Sequence, residues 1–214
     1  MNDIPIKTKR LEIYYNTYNS KNEKEIKDAY EKWAPFYEWH IIDMGWDAPK
    51  LCSDLFVKYL NNTQLKILDV GAGTGLVGIE LNKMVIPTNT IIDGIDLSID
   101  MINIAKLKNS YNNLWIMNAE MMTLENSTYD GLICVGSLNF GHISPNVFYE
   151  FVRVIRKDGI ICFSTRLDYY TISKNIQEEL VSNNKWELLE KREYDTDAVK
   201  DMKHIHWCYK CLTI

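Results

Sequence analysis

From residue 65 onward, short apolar runs rich in β-branched residues alternate with stretches whose apolar positions recur every three or four residues. That alternation predicts a parallel sheet with crossover helices. The strands expected are "LKILDV" (65–70), "TIIDGID" (90–96), "LWIMN" (114–118), "YDGLICVG" (129–136) and "GIICFST" (159–165), with helices near 76–84, 99–109 and 145–156. In the third helix Val147, Phe148, Phe151, Val152 and Ile155 share a face; Ser144 is placed to cap it, Pro145 suits its first turn, and "KDG" is expected to stop it. After a polar helix around 171–184, "KWELLEKREY" and "HIHWCYKCLTI" alternate like strands, with turn-prone "DTDAVKD" between them. With no crossover helix to join them, they are expected to pair antiparallel.

The amino-terminal third is different. Residues 1–22 carry no clear period and are expected to form a flexible arm. Residues 23–62 hold two helical patterns, "EIKDAYEKWAPFYEWH", interrupted by Pro35, and "APKLCSDLFVKYL", opening at Pro49. They predict an aromatic-rich helical cap ahead of a single domain over 63–214.

Length agrees with one core, since 214 residues at 46% hydrophobic content would divide poorly into two. The formal charge of -5 lacks the basic surplus that phosphate-backbone binding exploits, so no nucleic-acid partner is expected. No apolar run approaches bilayer length and no apolar stretch follows the first charges, so a cytoplasmic protein without a membrane partner is expected. Five scattered cysteines fit free thiols, with Cys134 and Cys162 as small core residues. Oligomeric state is not encoded in these patterns.

The chemistry lies in "ILDVGAGTGLVG", residues 67–78, where two fingerprints overlap. From Gly73, "GTGLVG" is a literal G-x-G-x-x-G, which would make the chain an NAD(P)-linked oxidoreductase. The strand ends at Val70, however, so the turn glycine should be Gly71, and in that register the sixth position is Leu76. The other register is Asp69-x-Gly71-x-Gly73-x-Gly75, an acid at the strand end followed by three glycines. An acid there suits an amino acid's ammonium group, and close-passing glycine backbone suits its carboxylate and ribose, which together describe S-adenosylmethionine. Asp96, at the end of the second strand and about 20 residues on, suits ribose hydroxyls in either cofactor.

These motifs, with "GIDLSIDMINIAK", "VGSLNFGHISP" and "VRVIRKDGIICFSTR", resemble class I S-adenosylmethionine-dependent methyltransferases from about Tyr30 to Arg166. "WAPFY", "DAPKL" and "VGSLNFGHI" together are similar to the Williams-Beuren syndrome region methyltransferase-like family. The resemblance implies a Rossmann-like, doubly wound, three-layer αβα fold, its seven-stranded sheet ending in an antiparallel strand. It implies that Asp69, Gly71, Ala72, Gly73 and Gly75 surround the methionine moiety and that Asp96 holds the ribose, with Leu97 and Met101 beside the adenine. Asn118, Ala119 and Glu120 would meet the adenine edge, either Asn118 or Glu120 reading its amine, and Val135, Gly136 and Ser137 would border the transferred methyl.

Other candidates carry two readings. Tyr30, Trp33 and Tyr37 are a lid whose ring faces favour a sulfonium, or simply the apolar face of a packed helix. His142 is a general base beside the fourth strand, or a loop histidine bonded to backbone. Arg166 is a fork for a substrate carboxylate, or a bracing ion pair. His204, His206, Cys208 and Cys211 tempt a zinc assignment, but one strand splits the two cysteines between its faces and no second ligand pair exists, so no metal is expected. With neither an Asn/Asp-Pro-Pro-Tyr/Phe segment nor a Pro-Cys nucleophile, the expectation is methyl transfer to an O, N or S of a small molecule; a protein that binds the cofactor without catalysis is the further alternative.

Overall fold

A computed structural model describes residues 17, 20, 22–60, 65–84, 86–139, 141–195 and 203–213. The expected arm falls almost wholly outside these residues, and so does most of the "DTDAVKD" turn.

The described chain opens with α1 (Glu23–Trp33), capped by Asn22, whose side chain accepts from Glu25 N while its amide donates back to the Glu25 carboxylate. Pro35 diverts it through one 3-10 turn, Ala34–Phe36, into α2 (Tyr37–Asp43). Helix α3 (Ala48–Tyr59) carries Pro49 in its first turn, as its sequence predicts. It lies in the helical layer against β4, β5 and α4, with Phe56 seated over Gly131.

The remaining elements are β1 (Lys66–Val70), α4 (Leu76–Lys83), β2 (Ile91–Asp96), α5 (Ile99–Leu107), β3 (Asn113–Ile116), a second 3-10 turn (Ala119–Met121), β4 (Tyr129–Leu138), α6 (Val147–Val154), β5 (Ile155–Arg166), α7 (Leu167–Ser182), β6 (Trp186–Asp195) and β7 (Lys203–Cys211). They form one seven-stranded sheet in the order β3-β2-β1-β4-β5-β7-β6. Strands β1 to β5 pair in parallel, whereas β7 inserts antiparallel between β5 and β6. The order reverses at β1, so the carboxyl ends of β1 and β4 diverge and leave a crevice, the position where doubly wound sheets bind ligands.

Two details depart from expectation. Helix α6 is entered through Asn146 without a side-chain cap, and Ser144 instead takes the amide of Asn146 through its hydroxyl. "KDG" does not stop the helix either: α6 passes directly into β5, and Asp158, at φ 67, lies in the strand where its register with β4 shifts. A tight strand-to-strand irregularity and a helix stop use the same turn-forming residues, so the pattern does not distinguish them.

Apolar faces on both sides of the sheet anchor the site. On one, Phe148, Phe163, Trp186 and Tyr209 are buried and stack, the last two at 4.1 Å between ring centroids. Each ring contributes roughly 2–3 kcal/mol of apolar burial. On the other face Cys52, Cys162 and Cys208 pack together with Leu55 and Phe56, and Cys211 belongs to the first face. Cys208 and Cys211 thus point to opposite sides, and among the described residues no three His, Cys, Asp or Glu side chains converge as metal ligands.

Candidate active site

The crevice opens as a cavity above the carboxyl ends of β1, β2 and β4. Its floor is the glycine loop after β1. Gly71 has φ 71, and a β-carbon on it would lie 2.0 Å from Ser137 Oγ, so only glycine lets this loop pass so close to β4. The loop's amides are largely spent within the protein. Gly71 N and Ala72 N both donate to Ile95 O, Gly75 N donates to Ala72 O, and Gly73 N donates to Asp96 Oδ2 at 2.8 Å.

Most of the residues expected at a site do meet here. Gly71 and Gly73 line the floor; Asp96, Leu97 and Met101 form one wall; Asn118, Ala119 and Glu120 form the next; Val135, Gly136 and Ser137 close the β4 side. Tyr30 and Tyr37 face the cavity from α1 and α2, and His142 faces it from the loop after β4. Asn118 and Glu120 differ in what they offer. Asn118 Oδ1 accepts from Glu120 N, whereas Glu120 uses Oε1 for Ser144 N and keeps Oε2 as an acceptor.

Five expected residues stand elsewhere. Asp69 is fully buried behind the loop, its Oδ2 accepting from the Tyr111 hydroxyl at 2.6 Å. Ala72 and Gly75 turn their backs to the cavity, Gly75 meeting Ala105 and Tyr111. Trp33 is a buried cap residue whose indole donates to His40 Nδ1 at 2.8 Å, because an indole N–H in an apolar cluster needs a partner. Arg166 stands at the end of β5, off the cavity wall, with its guanidinium donating to the Asp168 carboxylate at 2.8 Å. The sequence pattern also gave no sign of Ile26 and Lys27 of α1, or of Ser98, Met117, Gly141 and Ile143. Lys27 and Tyr30 lie three apart on one helix face, a spacing that signals a shared surface but not what it covers.

The site is acidic. Its charged wall residues are Asp96, Glu120 and a single cation, Lys27, among the described residues. Burial raises the Asp96 carboxyl, against the opposing hydrogen bonds from the amides of Ser98 and Gly73. Burial pushes the Asp69 carboxyl up to about 7, the Tyr111 hydrogen bond resisting and the Asp96 charge adding to it. Its Oδ1 is buried without a hydrogen-bond partner. Burial lowers the His142 imidazole, and its Nε2 stands 3.1 Å from the Thr17 carbonyl, which can only accept; the neutral tautomer in this contact carries its proton on Nε2. A floor with its amides already donated, backed by carboxylates, is a poor seat for a pyrophosphate. A carboxylate with an orphaned oxygen behind a cradle that a single β-carbon would fill suits a cationic, zwitterionic ligand.

The comparisons with known proteins agree with this geometry. Residues 67–159 match a family described as methyltransferase domain. Human methyltransferase-like protein 27 is 31% identical over 152 residues, covering 69% of this chain and 59% of that protein, so the matched part spans about three-fifths of the relative's length. Among solved structures, the [4+2]-cyclase SpnF superposes with a TM-score of 0.69 at 13% identity, over 91% of this chain and 98% of that one. A TehB-like S-adenosylmethionine-dependent methyltransferase from Corynebacterium glutamicum gives 0.60 at 16% identity, over 85% and 97%. Residues 67–159 thus match a methyltransferase domain, and the fold around them is that of solved S-adenosylmethionine-dependent methyltransferases.

Proposed function

We propose that this protein transfers the methyl group of S-adenosylmethionine to an O, N or S atom of a small-molecule acceptor. The observation that carries the reading is the glycine loop whose amides are donated inward, to Ile95 O and the Asp96 carboxylate, in an acidic cavity. In our reading Asp96 takes the ribose hydroxyls, Leu97 and Met101 flank the adenine, and Gly71 and Gly73 give the methionine moiety its close approach. Glu120, through Oε2, reads the adenine amine, since the oxygen of Asn118 is committed to the turn. When bound, the cofactor supplies an electrophilic methyl on a sulfonium. The chain's part is proximity and exclusion of water: Tyr30 and Tyr37 roof the cavity, while Val135, Gly136 and Ser137 border the reacting centre.

Calorimetric titration with S-adenosylmethionine, S-adenosylhomocysteine, NAD and NADP, after removal of copurified ligand, tests the cofactor. Saturable binding of the first two alone is expected, and Glu120→Ala is expected to weaken both by roughly tenfold, the worth of one hydrogen bond to a charged group. Binding of a nicotinamide nucleotide alone overturns the reading.

His142, on the acceptor side, is held neutral by burial and is proposed to take the acceptor's proton. His142→Ala is expected to lower kcat by about 10²–10³ on a hydroxyl or amine acceptor while leaving cofactor affinity within about twofold. An unchanged kcat removes the base role.

A further inference from the structure

Tyr111 lies outside the cavity, between α5 and β3, and packs behind the glycine loop. Its hydroxyl donates to Asp69 Oδ2 at 2.6 Å and accepts from Gly78 N at 3.0 Å. Its ring occupies the space where side chains at three glycines would go: a β-carbon on Gly78 would come within 2.5 Å of it, on Gly94 within 3.1 Å, and on Gly75 within 3.2 Å. Gly78, the last glycine of the literal G-x-G-x-x-G, is therefore explained by a tyrosine and not by a nucleotide. The ring joins the loop, the start of α4 and β2 into one surface, and its hydroxyl is the hydrogen-bond donor on a fully buried carboxylate.

We propose that Tyr111 is a positioning residue for cofactor binding: by donating to Asp69 Oδ2 and holding Gly78, it keeps Asp69 as a carboxylate aligned behind the loop, where its charge attracts the cofactor's ammonium end. The proposal rests on the S-adenosylmethionine reading of the site. The physical reason is that a buried carboxylate is maintained by the hydrogen bonds it accepts. Asp69 Oδ1 has none, so the Tyr111 bond carries the alignment. The titratable groups interacting with Asp69 are Asp96 from β2, Cys134 from β4 and Tyr111 itself, and Lys108 is tied to the same loop through the Thr74 carbonyl and to Glu38 of the cap. The nearby carboxylate of Asp96 opposes a second negative charge and is itself raised by burial, while burial holds the Tyr111 hydroxyl well above its ordinary value.

Tyr111→Phe keeps the ring and removes the hydroxyl. The test is the affinity of the full chain for S-adenosylhomocysteine, which is unreactive and carries the same ammonium, measured calorimetrically from pH 6 to pH 9 for wild type and variant. The ratio of the two affinities cancels the ligand's own titration. Loss of the hydroxyl should raise the pH at which Asp69 ionises by about one unit, so the ratio is expected to be about tenfold at pH 6 and to shrink toward one by pH 9. A ratio constant across this range means that the hydroxyl only braces the loop, and it overturns the proposal. Should Tyr111→Phe fail to fold by circular dichroism, Asp69→Asn serves in its place: wild-type affinity must then exceed the variant's progressively as pH rises, and parallel profiles overturn the proposal. Wild-type protein that binds neither S-adenosylhomocysteine nor S-adenosylmethionine at any pH defeats the cofactor reading itself, an outcome separate from pH-independent binding.

Discussion

Alanine at position 71 is expected to weaken S-adenosylhomocysteine binding by at least about a hundredfold, equivalent to roughly 2.7 kcal/mol. Two costs combine at this position. A non-glycine residue at φ 71 sits in the left-handed region, at a cost of roughly 1–2 kcal/mol. The new methyl would also stand 2.0 Å from Ser137 Oγ and 2.8 Å from its Cβ, so the loop or the end of β4 must move. Either displacement opens the floor on which the methionine end of the cofactor is proposed to lie. Calorimetry reads the affinity and thermal unfolding reads the strain; wild-type affinity in Gly71→Ala would show that the loop is not the floor of the site.

The second large effect concerns stability. Asp69 ionises at about 7 in the folded chain against an ordinary 3.8. A carboxyl raised on folding binds its proton more tightly in the native state, so its contribution is fully present below about pH 4 and is lost as pH rises through 7. The shift of about three units corresponds to an upper bound of roughly 4 kcal/mol. Asp69→Asn keeps an oxygen to accept from Tyr111 and carries no charge. In the absence of cofactor, the stability difference between Asp69→Asn and wild type is therefore expected to grow in the variant's favour from pH 4.5 to pH 7.5 and then level. His204 and His206 act in the opposite sense: burial lowers them to about 4 and about 3, so both proteins lose stability on acidification below pH 6.5. That loss is common to both and cancels in the difference. Urea unfolding across this range makes the comparison, and parallel profiles would mean that Asp69 keeps an ordinary ionisation. Cofactor binding should narrow the difference at high pH, because the charge that is costly in the empty protein is the one proposed to attract the ligand.

These two residues illustrate what could be read along the chain. The alternation of apolar runs and helical periods yields the strand and helix succession almost element by element, because burial on both faces forces continuous β-branched runs in a parallel sheet. The antiparallel tail was legible for the same reason, since two alternating segments without a crossover helix can only pair as neighbours running oppositely. The wall from Asp96 to Met101 and the turn at Asn118–Glu120 were legible because they directly follow strand ends, and carboxyl ends of strands in this topology converge on one crevice.

Side-chain direction was much harder to read. Trp33 and Tyr37 are four residues apart in the same aromatic run, yet one is core and the other faces the cavity, a choice made by how the Pro35 break rotates α2 against α1. Asp69 carried the right chemical type at the right place in the motif. Its orientation depends on the pleat of β1 and on what fills the space behind it, and the filler, Tyr111, comes from 42 residues away. Gly78 and Gly94 look like punctuation in sequence and become intelligible only beside that ring. Sequence by itself determined the order of elements, the single glycine loop and its acidic setting, because these depend on local periodicity and on residue type. Which glycines line the cavity and which face a tyrosine was decided by the tertiary structure, since a position's surroundings there depend on the atoms that long-range packing brings within a few ångströms.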